Sequence, residues 1–269
     1  MSLKLMAKGA WEYAIFAIGV LYLGILCLVW ALIALVLYPV LPTAVGRRVG
    51  RFGAMGVFRI YLTGMEALGA WRVDLRALDA LRGAGPLIIA PNHPCLLDAV
   101  LVVSRLPNAV CVMKGALLGN FLLGPASRLA RYVRNDSLLR LVARAGDELR
   151  LGGQLLLFPE GTRSTADPIG PFTEAVGALS RRSGVPVQAV IIEADDRRFL
   201  GKGWTPSARP NLPLNYRIRL GRRFDPPKDV RAFTVELERY FARELAARTA
   251  TANAPIDAPA VQEAQRLRG

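Results

Sequence analysis

The strongest constraint on this chain is a long uncharged segment near its N-terminus. Residues Tyr13 to Gly46 form a run of 34 residues that contains no Asp, Glu, Lys or Arg. An α-helix needs about 20 apolar residues to cross the hydrocarbon core of a bilayer. A secretory signal peptide is the alternative, but the apolar core of such a peptide has only about 7–15 residues. The run therefore predicts that the chain is attached to a membrane through an N-terminal anchor.

The path of this anchor is left open by the sequence. Pro39 and Pro42 predict that a helix ends near Tyr38. A helix from Trp11 to Tyr38 would be about 42 Å long, which exceeds the hydrocarbon thickness of about 30 Å. A tilted or protruding span fits this length, and a bent hairpin that enters and leaves one leaflet fits it equally well.

The charges that flank the anchor predict its orientation. Two lysines precede the run, and four arginines follow it: Arg47, Arg48, Arg51 and Arg59. The larger positive flank favours the inner, cytoplasmic membrane with the catalytic domain facing the cytoplasm. The next apolar stretch, Phe52–Trp71, contains Arg59 and Glu66, which indicates an interfacial helix rather than a second span.

The pattern changes at about residue 71 to short apolar runs that alternate with helical stretches. Seven strands are predicted, at Trp71–Leu75, Leu87–Ala90, Ala109–Met113, Tyr132–Arg134, Gln154–Phe158, Val187–Ile192 and Tyr216–Leu220. Helices are predicted at Pro94–Arg105, Leu138–Leu151, Phe172–Ser183 and Asp229–Arg248. This alternation predicts an α/β fold, with a mixed, largely parallel central sheet flanked by helices and a membrane-embedded helical segment at the N-terminus. The predicted organisation is an anchor with an interfacial helix over 1–70, an α/β domain over 71–248 and a flexible tail over 249–269.

Composition excludes several classes of function. The 52% apolar content excludes a disordered chain, and the single histidine, His93, excludes a site built on several His ligands, so no metal is expected. The net charge of +14 suits a membrane surface or an acidic partner, and it would also suit a nucleic-acid binder. No zinc-finger spacing, RNA-recognition run or Walker lysine is present, so nucleic acid is not an expected partner. A basic membrane-associated scaffold without catalysis remains a further alternative.

The first chemical motif surrounds the only histidine. The buried strand that ends at Ala90 leads into Asn92, His93 and Asp98. Pro94 is suited to a first helical turn, which predicts that His93 lies near a helix N-cap and that Asp98 can reach its imidazole. Such a pair is typical of a general base with a carboxylate that orients it. The alternative is a capping histidine beside a carboxylate in a surface ion pair.

The second motif follows another apolar strand and extends from Phe158 to Ser164. Gly161 permits a close approach of the backbone, and Arg163 presents a planar fork that suits a phosphate group. Glu160 is predicted to orient Arg163 or an acceptor hydroxyl. The alternative is a tight turn with a solvated ion pair.

The two motifs together resemble those of the glycerolipid acyltransferase family, which includes the lysophosphatidate acyltransferases. The family's Asn-His-x-x-x-x-Asp pattern is present at residues 92–98, and its Phe-Pro-Glu-Gly-Thr-Arg-Ser pattern is unbroken at residues 158–164. Lys114 and Arg134 are similar to the basic residues that the family carries between them, and Val185–Val190 resembles its later strand. The order and the spacing match over about residues 85–192.

The resemblance implies a direct acyl transfer in which His93 is the general base and Asp98 orients it. The substrate site that it implies consists of Asn92, Lys114, Arg134, Glu160, Gly161, Thr162 and Arg163. The co-substrate would be an acyl-CoA or acyl-carrier-protein thioester, with membrane lipids as partners and no further cofactor. A nucleophilic role of Cys95 is not expected, because its neighbours are apolar.

The resemblance implies 1-acylglycerol-3-phosphate as the acceptor, with phosphatidate as the product. Two departures lie near the acceptor region: Val133 stands where the family commonly has Asp, and the segment after Arg163 differs from the usual compact one. A lyso-ornithine lipid, a glycolipid or a specialised lipid-linked metabolite therefore remains an alternative acceptor.

Overall fold

The computed structural model describes residues 3–164, 169–196, 199–205 and 212–253. The strands are β1 Trp71–Asp74, β2 Leu87–Pro91, β3 Ala109–Lys114, β4 Val133–Asn135, β5 Gln154–Leu156, β6 Val187–Ala194 and β7 Leu214–Phe224. The α-helices are α1 Leu3–Val40, α2 Thr43–Ala67, α3 Asp98–Val103, α4 Gly115–Leu118, α5 Gly124–Leu129, α6 Leu138–Arg150, α7 Ala175–Ser183 and α8 Val230–Asn253. All seven predicted strands are present, and helix α8 continues beyond the predicted start of the tail at residue 249. The rest of that tail, from residue 254, lies outside the described residues.

The strands form one sheet in the order β1-β7-β6-β2-β5-β3-β4. Only the β6–β7 pair is antiparallel, and each other neighbouring pair is parallel. The predicted mixed, largely parallel sheet is therefore confirmed. Strands β2 and β5 are parallel neighbours, so the loops that follow them meet at the same edge of the sheet. These two loops carry the two motifs.

The core consists of two apolar layers, one on each face of the sheet. One layer contains side chains from helices α2 and α3, such as Met65 and Leu101, against Ile89 of β2. The other contains side chains from helices α6, α7 and α8, such as Leu141, Leu179 and Phe241. Burial of this sheet on both faces explains why β2 and β5 are almost continuously apolar in sequence.

Helices α1 and α2 form an antiparallel hairpin. Trp30 of α1 lies against Gly53 of α2, and Gly19 of α1 lies against Met65 at the other end of α2. The predicted end of the first helix near Tyr38 is slightly early, because Leu41 still donates a backbone hydrogen bond to Leu37. Within the described residues, one helix is long and apolar enough to cross a membrane, over Met6–Val40, and its most apolar 18-residue window has a mean hydropathy of 2.9.

One face of α1 packs against the rest of the protein along nearly its whole length. Near its start, Glu12 accepts a hydrogen bond from the backbone N–H of Leu212. Phe16 packs edge-on against Phe199. Near its end, the guanidinium of Arg131 lies 5.2 Å from the ring centre of Tyr38. The opposite face of α1 is apolar and exposed.

A buried ion pair joins the hairpin to the sheet domain. Arg51 of α2 donates hydrogen bonds to Glu148 of α6, to the side chain of Asn108 and to the backbone carbonyl of Ala130. Arg47 lies 2.9 Å from the same carboxylate of Glu148. Arg51 is the largest of the fully buried side chains in the described chain, so its charge is compensated only by these partners.

Candidate active site

The His93 and Asp98 side chains are in contact at the carboxyl end of β2. The Nδ1 atom of His93 lies 2.8 Å from Oδ2 of Asp98. Asp98 is fully buried, whereas 16% of the His93 side chain is exposed. An ionised carboxylate only accepts hydrogen bonds, so with Asp98 ionised the proton of a neutral His93 lies on Nδ1 and the lone pair on Nε2. This is the tautomer that a general base requires.

The helix that contains Asp98 begins later than the sequence predicted. Helix α3 starts at Asp98 itself, so His93 precedes the helix by five residues and is not its N-cap. The segment between His93 and Asp98 forms a turn, in which the carboxylate of Asp98 accepts a hydrogen bond from the backbone N–H of Cys95 at 2.8 Å. This turn, and not the helical turn that the sequence predicts, brings the two side chains together.

Three groups hold the carboxylate of Asp98. Besides His93 and the Cys95 backbone, the Cys95 thiol lies 3.2 Å from Oδ1. Burial raises the pKa of Asp98 above its ordinary value, and the hydrogen bonds from His93 and Cys95 oppose that rise. The carboxylate is thus fixed on both oxygens before any substrate arrives.

The imidazole is fixed from its other sides by the second motif. Phe158 stacks on the ring of His93, with the ring centres 3.8 Å apart. The backbone N–H of His93 donates to Glu160, and its carbonyl accepts the backbone N–H of Ser164 at 2.8 Å. No partner of Nε2 is found in the described part of the chain, and the ring lines a cavity.

Glu160 has a different set of partners from the predicted ones. Its carboxylate is buried, and its hydrogen bonds in the described part of the chain go to groups other than Arg163. One oxygen accepts from the Ser164 hydroxyl at 2.7 Å, and the other accepts from the backbone N–H of Gly170 at 2.7 Å. Glu160 therefore ties its own loop together and connects it to His93, so it does not orient Arg163.

Arg163 lines the cavity, but one of its guanidinium nitrogens already donates hydrogen bonds to backbone carbonyl groups. Its Nη1 donates to the backbone carbonyls of Leu200, at 3.0 Å, and Gly201, at 2.7 Å. Gly161, Thr162 and Arg163 all line the cavity. The guanidinium holds the loop that follows β6 while it also presents its charge to the cavity.

The cavity beside His93 has a volume of about 470 Å³ and opposite chemical character at its two ends. Its apolar walls include side chains of helices α1 and α2, such as Leu23, Trp30 and Phe58, together with side chains from the sheet and its loops. Its polar end contains Lys114 together with Arg163. The size is within the usual range for a small-molecule site, about 300–1,000 Å³, and the shape of the lining suits a molecule with an apolar chain and an anionic head.

A second cavity of about 410 Å³ lies next to the first. Its lining is almost entirely apolar and includes Phe16, Gly19 and Phe199. Both cavities share the side chains of Leu23 and Leu96 as a common wall. The His93 region is therefore flanked by apolar space on the side of helix α1.

Besides Glu160, two further residues predicted to bind substrate lie outside the cavity lining. Asn92 is fully buried, and its amide bonds both backbone groups of Ile192 in β6, at 2.9 Å and 2.7 Å. Arg134 is exposed, pairs with Asp136 at 3.1 Å and is not in the cavity lining. Asn92 thus holds the loop after β2 to the neighbouring strand, and Arg134 lies on the outer surface.

Sequence reasoning missed three features of this site. The sequence does point to the stacking of Phe158 on His93, because Phe158 is the first residue of the second motif. It also points to the contact of Cys95 with Asp98, because Cys95 lies inside the first motif. The cavity walls contributed by helix α1, such as Leu23 and Cys27, had none, since an apolar residue in a long apolar run looks the same whether it faces lipid or substrate.

Comparison with known proteins agrees with this geometry. Residues 72–193 match the family described as Acyltransferase. The chain is 25% identical over 199 residues to the 1-acyl-sn-glycerol-3-phosphate acyltransferase of Pseudomonas aeruginosa, a match that covers 72% of this chain and 74% of that protein. Residues 72–193 are an acyltransferase domain. The matched segment contains both motifs and the first six strands of the sheet.

Further relatives match part of this O-acyltransferase, and a solved structure shares its fold. The human 1-acyl-sn-glycerol-3-phosphate acyltransferase beta is 28% identical over 131 residues, 45% of this chain and 46% of that protein. The chloroplastic 1-acyl-sn-glycerol-3-phosphate acyltransferase BAT2 of Brassica napus is 25% identical over 128 residues, 45% of this chain and 37% of that protein. The crystal structure of the 1-acyl-sn-glycerophosphate acyltransferase PlsC from Thermotoga maritima has the same fold, with a TM-score of 0.59 at 18% identity, over 86% of this chain and 96% of that chain.

Proposed function

We propose that this acyltransferase esterifies the free hydroxyl of 1-acylglycerol-3-phosphate with a fatty acyl group from a thioester, which gives phosphatidate. The observation that supports it most is the His93–Asp98 pair, whose histidine lines a cavity with apolar walls and a cationic end. The Pseudomonas aeruginosa relative is named for the same acceptor.

The reaction follows from the orientation of the imidazole. Nε2 of His93 removes the proton from the acceptor hydroxyl while the oxygen attacks the thioester carbonyl. The tetrahedral intermediate collapses, the C–S bond breaks, and the imidazolium returns the proton to the leaving sulfur. The Asp98 carboxylate stabilises the imidazolium between these steps. The products are an ester and a free thiol, and the reaction as written needs no cofactor besides its co-substrate.

The neighbouring thiol does not serve as a nucleophile. Cys95 is fully buried, and burial together with the nearby Asp98 carboxylate raises its pKa well above the ordinary value. A thiol attacks only as the thiolate, which this environment disfavours. Acyl transfer therefore proceeds directly from donor to acceptor.

Lys114 and Arg163 bind the phosphate of the acceptor at the polar end of the cavity. Lys114 is an exposed cation at the end of β3, and Arg163 retains donors beyond the Nη1 that serves the loop carbonyls. Gly161 and Thr162 lie beside them in the cavity lining and complete this end of the site. The apolar walls then receive the hydrocarbon chain of the lysolipid.

Helix α1 attaches the enzyme to one leaflet. One face of α1 packs on the protein from Glu12 to Tyr38, so the helix cannot also be surrounded by lipid on all sides. Its other face is exposed and apolar. The helix therefore lies in the interfacial plane, on the cytoplasmic side of the inner membrane, where acyl-CoA or acyl carrier protein supplies the thioester.

Thiol release from the purified protein in detergent micelles tests this function. With acyl-CoA and lysophosphatidate, the wild-type protein should release free thiol and form phosphatidate. His93→Ala should abolish the release, while Val235→Ala, a change at an exposed position on helix α8, should leave it unchanged. Near-normal turnover by His93→Ala would contradict the mechanism.

The partial occupation of Arg163 by carbonyl groups favours a second acceptor class. Among the predicted cations, Arg134 is outside the cavity, and Nη1 of Arg163 bonds to Leu200 and Gly201. A weaker anion site would suit a lyso-ornithine lipid or a glycolipid. A panel of acceptors assayed with one labelled donor separates lysophosphatidate from the second acceptor class. Lysophosphatidate should give the highest kcat/KM if phosphate is the recognised group.

A further inference from the structure

Two buried hydrogen-bond donors lie among the apolar walls of the main cavity. They are the hydroxyl of Tyr132 and the indole N–H of Trp30, and both residues line the cavity that also contains His93. Neither group forms a hydrogen bond within the part of the chain that the structure describes. Buried polar groups nearly always have a partner, because a donor without one costs free energy. Such groups in the lining of a binding cavity are typical of a site that recognises a polar group on its ligand.

The two groups lie at the same end of the cavity, next to residues 51–54 of helix α2. The indole of Trp30 lies against Gly53. Arg51 donates a hydrogen bond to the backbone carbonyl two residues before Tyr132. This part of the cavity, lined by Trp30 and Tyr132, is here called the deep end.

The deep end is well separated from the catalytic histidine. Tyr132 directly precedes β4, and the register of the strands places it level with Leu156 of β5. His93 stacks on Phe158, two residues beyond Leu156. With about 3.3 Å per residue and about 4.8 Å between neighbouring strands, the backbones of Tyr132 and Phe158 are about 12 Å apart. A chain whose reacting group lies at His93 would therefore bring a position well along its length to the deep end.

The hydroxyl of Tyr132 is available as a donor. Burial raises the pKa of Tyr132 well above its ordinary value, so the hydroxyl keeps its proton. The neighbouring Cys111 thiol is only a weak hydrogen-bonding group. Ser127 is buried, accepts the backbone N–H of Tyr132 at 2.9 Å and adds a second hydroxyl to the same part of the lining.

These groups define the chemistry that the deep end can bind. An indole N–H only donates, whereas a hydroxyl both donates and accepts, so the ligand group must be able to accept hydrogen bonds. A carboxylate would also need a counter-ion, and the nearby Arg51 is already paired with Glu148. An uncharged oxygen, in a hydroxyl or a carbonyl group, meets both conditions.

We propose that the deep end recognises a hydrocarbon chain that carries a hydroxyl or carbonyl oxygen partway along its length, and that Tyr132 and Trp30 donate hydrogen bonds to that oxygen. This inference rests on the proposed function, because it assumes that the cavity receives the chain of a lipid substrate. The chain belongs to the thioester or to the lysolipid, and the recognised chemistry is the same in both. An unsubstituted chain leaves the two groups buried without a partner, so the enzyme selects against it.

A bound water molecule is the alternative partner of the two groups. A buried water needs two to four polar groups around it, and Tyr132, Trp30 and Ser127 could supply them. In that case an oxygen on the chain would bring no advantage. The two possibilities therefore differ in whether a hydroxyl on the chain improves binding.

Binding of free fatty acids tests the deep end without the need for turnover. The full-length protein in detergent micelles is titrated with octadecanoic acid and with hydroxyoctadecanoic acids that carry the hydroxyl at successive positions in the middle of the chain. At least one hydroxylated acid should bind about 10-fold or more tightly than the unsubstituted acid, and Tyr132→Phe should remove most of that difference. Equal Kd values for all these acids in the wild-type protein would overturn the inference and favour the water molecule.

A matched control removes a tyrosine hydroxyl elsewhere. The hydroxyl of Tyr240 accepts the backbone N–H of Arg222, and Tyr240 packs in the apolar layer on the other face of the sheet. Tyr240→Phe should keep the preference for the hydroxylated acid. Loss of the preference in both variants would overturn the assignment to Tyr132.

Stability distinguishes a hydroxyl that serves the ligand from one that serves the fold. Tyr132→Phe removes a group that has no partner within the described residues, so the Tm of the ligand-free protein should stay the same or rise. A lower Tm with an unchanged preference between the fatty acids would assign the hydroxyl to the fold and overturn the inference.

Turnover shows which substrate carries the oxygen. Thiol release is measured with matched thioesters and, separately, with matched lysophosphatidates, whose chains have or lack the hydroxyl. In one of these two arms kcat/KM should favour the hydroxylated chain, and the ratio should fall by about 10-fold in Tyr132→Phe. Phosphatidate formation from all chains with no preference in either arm would overturn this inference alone. Selective binding of the hydroxylated acid without phosphatidate formation would instead overturn the proposed function and leave the deep end as a binding site.

Discussion

The two ends of the main cavity are built on different physical principles. At the polar end, each reactive group is held by directed hydrogen bonds: Asp98 is bonded on both oxygens, and Glu160 ties His93 to the second motif. At the apolar end, the walls are apolar side chains held by packing, such as Leu23 and Trp30 of helix α1. The difference indicates that the side chains at the polar end have one fixed geometry, whereas the part of the cavity that would bind a hydrocarbon chain tolerates changes of shape.

The largest effect on activity is expected for a substitution of Asp98, at the polar end of the cavity. Asp98→Asn keeps the size of the side chain but removes the charge that stabilises the imidazolium, so kcat should fall by about 10⁴-fold, as in other His–carboxylate pairs. Because burial raises the pKa of Asp98, the neutral amide should cost little stability. Thiol release and thermal unfolding of the same preparation check both statements, and a collapse of stability with the activity would contradict them.

The next largest effect is expected at Glu160, which contacts no reacting atom. Glu160→Gln replaces one acceptor oxygen by an NH₂ group that faces N–H or O–H donors, so the loop to His93 loses at least one bond. A buried unsatisfied group costs about 1–3 kcal/mol, and we expect kcat to fall by about 10-fold or more with KM for the donor less affected. If KM for the donor rose by about the same factor while kcat stayed unchanged, Glu160 would instead act in substrate binding.

The apolar end is tested by two glycines on one helix. A Cβ at Gly53 would lie 2.0 Å from the indole ring of Trp30, whereas a Cβ at Gly56 would have nothing within 4 Å. Gly53→Ala should lower the free energy of unfolding by about 1–3 kcal/mol through overpacking, and Gly56→Ala should raise it by about 0.5–1 kcal/mol. Denaturation in micelles measures both, and equal shifts of the same sign would contradict the close hairpin.

The smallest effect is expected at Cys95. Cys95→Ser keeps a donor for Oδ1 of Asp98 in place of a weak S–H donor, so kcat should stay within a few-fold of the wild-type value. Treatment of the folded wild-type protein with an alkylating reagent should also leave activity intact, since the thiol is buried with a raised pKa. Rapid inactivation by the reagent, with protection by acyl-CoA, would point to a thiolate at the active site.

The sequence predicted the sheet and the contact between His93 and Asp98 well because both have local signals. Apolar runs mark the strands, and five residues separate His93 from Asp98 within one turn. The roles of Asn92 and Glu160 could not be predicted, because their partners, Ile192 and Gly170 among them, lie farther along the chain and are backbone groups. The occupation of Arg163 by the carbonyls of Leu200 and Gly201 likewise depends on a loop with no sequence signal.

The buried arginine of helix α2 limits how this enzyme can be engineered. A soluble version made by deleting the hairpin would strip Glu148 of both Arg51 and Arg47 and would leave a carboxylate without a counter-ion at the base of helix α6. Where such a carboxylate stays buried, the loss typically costs about 3–5 kcal/mol. Shorter chains intended for crystallisation or screening should therefore replace Glu148 by an apolar residue at the same time, rather than simply begin after residue 67.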